Sequence, residues 1–344
     1  MKYLKKFETH EDYEEYVTGG TFLKPNVSYC EDVKDVHYNP WTWADAYFTT
    51  VALENGTISF TPKNSNVISY STDNGNTWTE GNSVEVNNGD SVMWKGTMTP
   101  QTNQGIGSFS STCNFEAQGN TMSLLFGDDF KNKLSLEGKN YAFYFLFSGA
   151  TKVVSAENLI LPATTLASNC YYQMFQGCTS LTTAPELPAT TLAEYCYQRM
   201  FNGCTSLTSA PELPATTLAN YCYYNMFKGC TSLTSAPQLP ATTLAESCYS
   251  YMFTNCTSLT SAPELPATTL VTNCYYSMFY GCTSLNYIKA MFTTTPSSTY
   301  TSNWVQGVAA SGTFVKNSAA TWNPEEVRGV NGIPNGWTVQ TASE

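Results

Sequence analysis

Ten of the twelve cysteines form two regularly spaced sets, and thiols are the most reactive groups that this sequence repeats. The two sets are Cys170, Cys196, Cys222, Cys248 and Cys274, and Cys178, Cys204, Cys230, Cys256 and Cys282. Successive cysteines are 8 and 18 residues apart, whereas a zinc site needs ligands in close pairs. Because each set has five members, disulfide pairing within a set leaves one cysteine over. We predict free thiols that fill a packed core, with disulfides between neighbouring members as the alternative.

Histidine, the usual general base, is almost absent from the sequence. His10 and His37 are the two histidines, and both precede the region of repeated cysteines. A Ser-His or Cys-His catalytic pair therefore cannot form within that region. The sequence predicts a protein that is not an enzyme, with no catalytic residue and no cofactor.

A third repeated position carries carboxylates, at Glu186, Glu212 and Glu264, with Gln238 in the same row. Stacked units would place these side chains about 5 Å apart, where like charges repel unless a cation intervenes. Calcium accepts such oxygen ligands and is one alternative. Because Gln238 interrupts the row and no Asp-rich loop accompanies it, we predict a solvated acidic edge and no metal site.

The charge and the hydropathy of the chain exclude two classes of partner. A net charge of −11 leaves no basic surface for phosphates, which excludes nucleic acid. No apolar run approaches the ~20 residues needed to cross a bilayer, so no membrane insertion is expected. Acidic residues at Glu11 and Asp12 come before any apolar segment, so we expect no signal peptide.

A 26-residue unit occurs five times in succession, with the form LPATTLAxxCYxxMFxGCTSLTxAPE. The copies begin at Leu161, Leu187, Leu213, Leu239 and Leu265. A fixed period of this length predicts a solenoid, in which each unit buries its apolar face by stacking on its neighbours.

The apolar residues of one unit have the spacing of a helix that is buried along one side. Ala167, Cys170, Tyr171 and Met174 begin this stripe, so we predict an inward-facing helix. The position after the stripe is Gly in four copies and Asn255 in the other, which predicts a left-handed backbone there. A very short strand is predicted after it, ended by the proline of each unit.

Positions that vary between the copies are predicted to lie on the exposed face of this helix. They are rich in Tyr, Ser, Asn and Gln, a composition typical of recognition surfaces, whereas drifting helix surfaces usually collect Lys and Glu. The candidate binding residues are Tyr172, Gln173, Tyr195, Arg199, Tyr221, Tyr224, Asn225, Tyr251, Tyr276 and Tyr280.

The recurring MFxGCTSLTxAPELP resembles the BspA-like leucine-rich repeats of Bacteroidales surface proteins, over about residues 141–308. This resemblance implies adhesion to host matrix or to other cells. The opening PNVSYCEDVKDVHYNP is similar to that of structural proteins of Bacteroidales phages and prophages. That similarity implies a virion component, made in the host cytoplasm without a signal peptide.

Residues 41–128 alternate apolar and polar positions between Asn-Gly, Asp-Asn-Gly-Asn and Asn-Gly-Asp turns, which predicts a small Ig-like β-sandwich. Within it, Ser71, Asp73, Gly75, Thr77 and Trp78 resemble the Asp-box hairpin of sialidase propellers and other β proteins. The resemblance implies a folding element without a catalytic residue.

These observations combine into one prediction, an α/β leucine-rich-repeat solenoid with an N-terminal all-β sandwich-like domain. The predicted parts are an attachment segment (1–40), the sandwich (41–128), an N-terminal cap repeat (129–160), the solenoid (161–290) and a C-terminal cap (291–344). We predict a tail-fibre-like virion protein that binds a bacterial surface glycan or protein and joins other virion or surface-assembly proteins. The alternative is a BspA-like adhesin at the bacterial cell surface. The sequence leaves homo-oligomerisation open.

Overall fold

The structure is a computed structural model that describes residues 45–343. It also describes the backbone of three earlier strands, β1 (Leu4–Lys6), β2 (Val27–Cys30) and β3 (Asp35–Tyr38). These three form an antiparallel sheet in the order β1-β3-β2. The rest of the predicted attachment segment, residues 1–40, lies outside the described residues.

The described part of the chain is mostly β, with little helix and no closed barrel. Its further strands are β4 (Phe48–Ala52), β5 (Gly56–Pro62), β6 (Ser69–Ser71), β7 (Thr79–Glu80), β8 (Ser83–Val86), β9 (Ser91–Lys95), β10 (Gly107–Ser111), β11 (Phe115–Asn120), β12 (Val153–Ser155), β13 (Leu159–Ile160), β14 (Tyr287–Ala290), β15 (Thr313–Lys316) and β16 (Thr338–Thr341). The four-residue helices are Ser123–Phe126 and Ser298–Thr301, and the 3₁₀ turns are Gly127–Phe130 and Pro324–Val327. No helix of this described part is long and apolar enough to cross a membrane.

Two sheets form the unit before the repeats. One has the order β10-β5-β8, and the other has the order β12-β11-β4-β9-β6-β7, with β13 also paired to β11. The ring of Phe109 in the first sheet packs on Phe48 and Trp94 of the second, with centroids 5.0 and 5.3 Å apart. Alternating burial along β8 and β9 reflects this packing, because successive side chains of a strand point to opposite faces. An Ig-like topology stays a prediction.

The Asp-box sequence forms the predicted hydrogen-bonded turn. Asp73 Oδ1 accepts from the Thr77 amide at 2.9 Å and from Ser71 Oγ at 2.7 Å, and Asp73 Oδ2 accepts from Thr77 Oγ1 at 2.6 Å. The hydrogen bonds from Thr77 and Ser71 lower the pKa of Asp73 to about 2. Both oxygens of this carboxylate accept hydrogen bonds within the turn, which agrees with a role in folding.

The hydrophobic core continues from this unit into the repeats without interruption, from Phe48 to Trp337. Strands β12 and β13 lie beyond the predicted boundary at residue 128, and both pair in parallel with β11. The sheet of the N-terminal unit therefore extends over the first repeat-like coil, and the two parts share one core.

The predicted repeat helix is wrong, because residues 169–177 form a ribbon of successive turns instead. Alternate amides hydrogen-bond in two ways: the Cys170 amide donates to the Ala167 carbonyl at 3.3 Å, and the Tyr171 amide donates to Cys196 of the next coil at 3.0 Å. Half of the donors thus leave the segment, whereas an α-helix keeps its bonds internal. The side-chain period resembled a helix because the ribbon repeats every four residues, as the left-handed backbone at Asn169, Gln173 and Gly177 shows.

The left-handed position after each stripe is confirmed. Gly177, Gly203 and Gly229 have φ of 73°, 75° and 75°, and Asn255 adopts φ of 61° at the equivalent position. The predicted short strand is reduced to isolated bridges, for example between Ser209 and Ser235. The prolines that follow restrict pairing because they lack an N–H.

Identical side chains stack from coil to coil in the core. Buried tyrosine rings follow one another at 5.6 to 5.9 Å and phenylalanine rings at 5.6 to 5.8 Å, all nearly parallel. The tyrosines are Tyr171, Tyr197, Tyr223, Tyr249 and Tyr275, and the phenylalanines are Phe175, Phe201, Phe227, Phe253 and Phe279. Offset ring stacking adds about 0.5–1.5 kcal/mol per pair beyond the area buried.

All ten repeated cysteines are buried free thiols, as predicted. Cys204 Sγ donates to the Phe175 carbonyl of the preceding coil at 3.1 Å, and Cys230 does the same to Phe201. Burial raises the pKa of Cys170 to about 12, so this thiol stays protonated. The cysteines therefore act as small apolar residues with a weak donor.

The last coils end in a parallel sheet, β14-β15-β16, which covers the end of the core. Trp304 and Trp337 are buried beneath it, and their indole N–H groups donate to Gly332 and Ala309 carbonyls at 2.7 and 2.8 Å. These C-terminal residues thus cover the apolar end of the core, which would otherwise need a further repeat to cover it.

Candidate recognition surface

One large side chain per coil forms a continuous line along the outside of the turn ribbons. Numbering each repeat from its leucine, position 12 is large in the first, third and fifth copies, and position 13 is large in the second and fourth. We call this zigzag line the tyrosine ridge. Its members are Tyr172, Arg199, Tyr224, Tyr251 and Tyr276, all half-buried.

The alternate residues at the same two positions are short or neutral and lie beneath the ridge. Gln173 and Asn225, which the sequence predicted to be exposed, are 6% and 4% exposed. Gln198, Ser250 and Ser277 are also buried. The predicted exposure of Gln173 and Asn225 is therefore wrong, because the segment is a ribbon of turns and lacks the exposed helical face on which the prediction placed them.

The ridge tyrosines contact one another across coils. Tyr224 and Tyr251 pack edge to face at 5.4 Å, and Tyr251 and Tyr276 lie 5.0 Å apart between ring centroids. Tyr172 stacks on Tyr144 of the N-terminal cap coil at 4.7 Å. The ridge therefore begins in the cap coil and spans every repeat, which the sequence had not indicated for Tyr144.

A second, shorter line flanks the ridge. Tyr195 and Tyr221 stack at 5.0 Å, and Tyr221 lies 5.9 Å from Tyr224 of the ridge. The Tyr221 hydroxyl donates to Glu246 at 3.3 Å. Tyr280 is 39% exposed and is one of the most exposed large side chains among the described residues. Eight of the ten predicted residues are therefore at least partly accessible, and most of these belong to two touching lines.

Several residues of this surface have a strained backbone. Tyr195, Arg199, Tyr221 and Tyr251 have φ between 55° and 58°, a region that costs roughly 1–2 kcal/mol for residues other than Gly and Asn. Equivalent positions in other copies include Asn225, for which the conformation is much easier. The ribbon has this backbone at three positions per coil, for example at Asn169, Gln173 and Gly177 in the first copy, and the chain places bulky side chains at several of them.

Replacing Arg199 with glycine should raise the free energy of unfolding by about 0.5–1 kcal/mol relative to Arg199→Ala, because only glycine removes the strain. Both variants delete the same side chain, so their comparison isolates the backbone. Chemical denaturation of the two proteins measures the difference. Equal stability would show that the left-handed conformation costs nothing at this position.

Burial keeps the phenols of Tyr144, Tyr224 and Tyr251 protonated. Burial raises the pKa of Tyr144 to about 12, and burial also raises the pKa of Tyr224 and Tyr251. The positive charge of the Arg199 guanidinium lowers the pKa of both Tyr144 and Tyr224, in opposition to burial. This charge therefore lies between the cap coil and the third repeat. Lys228 lies 5.6 Å above the ring of Tyr251. The ridge thus presents hydroxyls as hydrogen-bond donors beside two cations.

The other candidate positions show no comparable arrangement. Glu186, Glu212 and Glu264 are exposed, as expected for an acidic edge, and Glu264 pairs with Lys289 at 3.0 Å. No group of three metal-ligating side chains occurs within the described residues. A solvated acidic edge without a metal site stays a prediction.

Comparison with known proteins identifies the class of the repeats. The family model of the BspA type leucine-rich repeat region matches residues 140–260 and 169–303, with six copies. The repeats of this chain are therefore BspA-type leucine-rich repeats, and repeats of this type indicate a surface or adhesion-like repeat protein. No curated protein and no solved structure matches the chain. Origin from Bacteroidales or from a phage stays a prediction.

Proposed function

We propose that this chain is a non-enzymatic recognition protein whose repeats form a solenoid and whose tyrosine ridge binds a surface glycan or protein. The observation that carries this proposal is the line of surface tyrosines that contact one another across coils, from Tyr224 through Tyr251 to Tyr276. Arg199 and Tyr251 hold left-handed backbone conformations that Gly or Asn would adopt more easily, and both lie on the ridge. The buried Gln173 and Ser277 share this conformation, so the ribbon requires it. Arg199 and Tyr251 are the copies in which a large, partly exposed side chain is kept there.

The floor of the ridge supports the same proposal. The buried side-chain oxygens of Gln198 and Asn225 have no hydrogen-bond partner among the described residues. An unsatisfied buried acceptor costs about 1–3 kcal/mol, and the hydroxyls of Tyr171 and Tyr197 in the core are unpaired as well. The floor of the ridge differs from the core because its residues change from copy to copy. The core positions, in contrast, carry the same residues in all five copies.

Tyrosine side chains on a rigid support suit recognition, because they provide contact area and a hydroxyl at a low entropic cost. Inter-coil hydrogen bonds hold the ribbon, for example between the Arg199 amide and the Tyr224 carbonyl at 2.9 Å. A ligand would therefore meet a surface that is already ordered, and binding would not require the coils to rearrange.

We propose attachment at a bacterial cell surface as the setting, since BspA-type repeats indicate a surface or adhesion-like protein. The virion role, which was the first prediction from the sequence, becomes the alternative. Mass spectrometry of purified virions tests that role, and surface proteolysis of intact cells tests the adhesin. Turnover of a sialoside substrate would contradict the proposal that the protein is not an enzyme.

Alanine substitution of ridge tyrosines tests the proposal directly. In a glycan-array and cell-binding screen with the full chain, Tyr172→Ala, Tyr224→Ala and Tyr276→Ala should each weaken binding about tenfold, as central aromatic contacts do. Tyr287→Ala is the matched control, because Tyr287 is 38% exposed but lies in β14, away from the ridge. Unchanged binding of the three variants, with their folds intact by circular dichroism, would place the site elsewhere.

A further inference from the structure

A pocket lies where the N-terminal unit meets the cap coil. Its volume is about 260 Å³, near the lower limit of ligand pockets, which suits a single sugar-sized unit. Lys63, Gln104, Gly107 and Ser108 line it from the N-terminal unit, and Phe145 and Ser148 line it from the cap coil. Neither part of the chain forms this pocket alone.

The pocket adjoins the start of the tyrosine ridge through Phe145. Its ring contacts Tyr144 edge to face at 4.2 Å and lies 6.1 Å from Tyr172, between ring centroids. Phe145 also has a left-handed backbone, with φ of 61°, like the strained residues of the ridge. A ligand in the pocket can therefore continue over Tyr172 without a gap.

The chemistry of the pocket is cationic and neutral, with no carboxylate in its lining. Lys63 has neither an ion pair nor a side-chain hydrogen bond to any of the described residues. Gln104, Ser108 and Ser148 add neutral hydrogen-bonding groups, and Phe145 adds an aromatic surface. This combination suits a ligand with one carboxylate, several hydroxyls and an apolar ring face.

Gly107 shapes the wall of the pocket beside Lys63. Its φ is 144°, and a side chain there would come within 2.5 Å of the Phe60 ring and of the Thr61 carbonyl. The amide of Lys63 donates to the carbonyl of Ile106 at 3.0 Å, which joins the two segments. This backbone contact holds the main chain of Lys63 in place at the pocket.

The distribution of cations extends the same chemistry along the ridge. The five repeats contain only three basic residues, and two of them, Arg199 and Lys228, lie on or beside the ridge. Arg199 is two coils from Phe145, roughly 10 Å at the spacing of stacked strands. The charges of Glu194 and Glu246 contribute to the raised pKa of Tyr195, which belongs to the flanking line. The ridge itself therefore carries a cation and no carboxylate, whereas the flanking line has two carboxylates beside it.

From this arrangement we propose that the pocket binds one unit of an acidic polysaccharide, whose chain continues over Tyr172 towards Arg199. Lys63 pairs with the carboxylate of the first unit, and Arg199 pairs with a later one. The net charge of −11 opposes a polyanion only weakly at this site, because the Debye length is about 8 Å at physiological salt. The inference rests on the proposed function and names the ligand class of the same surface.

Binding of defined uronate oligosaccharides to the full chain tests this inference. The probes are hexamers of galacturonate, mannuronate and hyaluronan, each with its methyl-esterified counterpart, measured by isothermal titration calorimetry. We expect at least one acidic hexamer to bind, with at least tenfold loss on esterification, because the ester removes the charge. Lys63→Gln and Arg199→Gln should each weaken binding about tenfold. Lys131→Gln, an exposed lysine outside the pocket lining, is the control with the same charge change.

The outcomes separate this inference from the proposed function. Equal binding of acidic and esterified hexamers would overturn the choice of an acidic ligand. Unchanged affinity in Lys63→Gln, together with a loss in Tyr224→Ala, would overturn the pocket while leaving the ridge as the recognition surface. Failure of all three hexamers at about 1 mM would overturn the inference as well. The cell-binding screen of the ridge variants would then decide the proposed function independently.

Discussion

Replacing Phe227 with alanine is expected to lower the free energy of unfolding by about 3–5 kcal/mol. Phe227 is fully buried in the central coil, and its ring stacks on Phe201 at 5.6 Å and on Phe253 at 5.7 Å. The substitution removes both ring contacts and leaves a cavity that the rigid coils on either side cannot close. Chemical denaturation of the purified variant measures the loss.

Lys228→Ala is the matched control for this prediction, because Lys228 is the next residue along the chain and is half-buried at the surface. Its loss should cost less than about 0.5 kcal/mol, as for most surface substitutions. In a stack whose coils contact only their neighbours, the defect of Phe227→Ala should also divide the array, so that unfolding becomes less cooperative. A cost below 1 kcal/mol with unchanged cooperativity would contradict the stacked core.

The repeated thiols should react with iodoacetamide at least 10³-fold more slowly in the native protein than in denaturant. Cys204 and Cys230 are fully buried, and burial raises their pKa well above the usual value. The reactive thiolate is therefore absent below the raised pKa, and raising the pH to 9 should not expose it. Labelling must then wait for unfolding, whose equilibrium sets the rate.

Peptide mass spectrometry after timed labelling measures the extent of reaction at each cysteine separately and so tests this prediction. Glu212→Cys provides the control, since position 212 is exposed and a thiol there should react at the rate of a free thiol. Rapid native labelling of Cys204 or Cys230 would show that the cores of the coils open locally. Formation of a disulfide between them without unfolding would revive the alternative that the sequence left open.

The residues of the core could be predicted from the sequence because the same apolar residues recur at the same positions of every repeat. Met174 and Phe175 recur at the same offset in every copy, and both are fully buried. The predicted helix failed on the same evidence, since a period of three to four residues fits both a helix and a ribbon of tight turns. The hydrogen-bond acceptor of every second amide N–H distinguishes the two. In the ribbon this acceptor lies in the next coil, so it does not depend on local sequence alone.

The recognition surface was predicted only in part. Variation between copies identified Tyr224 and Arg199, but it equally selected Gln173 and Asn225, which are covered. The alternation of large residues between positions 12 and 13 was present in the sequence and could have indicated the covered ones. Tyr144 lacked any such signal, because the cap coil departs from the repeat.

The sequence by itself determined the period, the buried residues, the reduced thiols and the left-handed position that Asn255 shares with the glycines. These follow from residue type and spacing, which act within one unit. Only the tertiary structure decided that the units hydrogen-bond as turn ribbons, that the N-terminal sheet joins the first coil, and that Lys63 lies beside Phe145. Each of these contacts joins segments far apart in the chain, and their geometry is set by packing between coils that no single unit encodes.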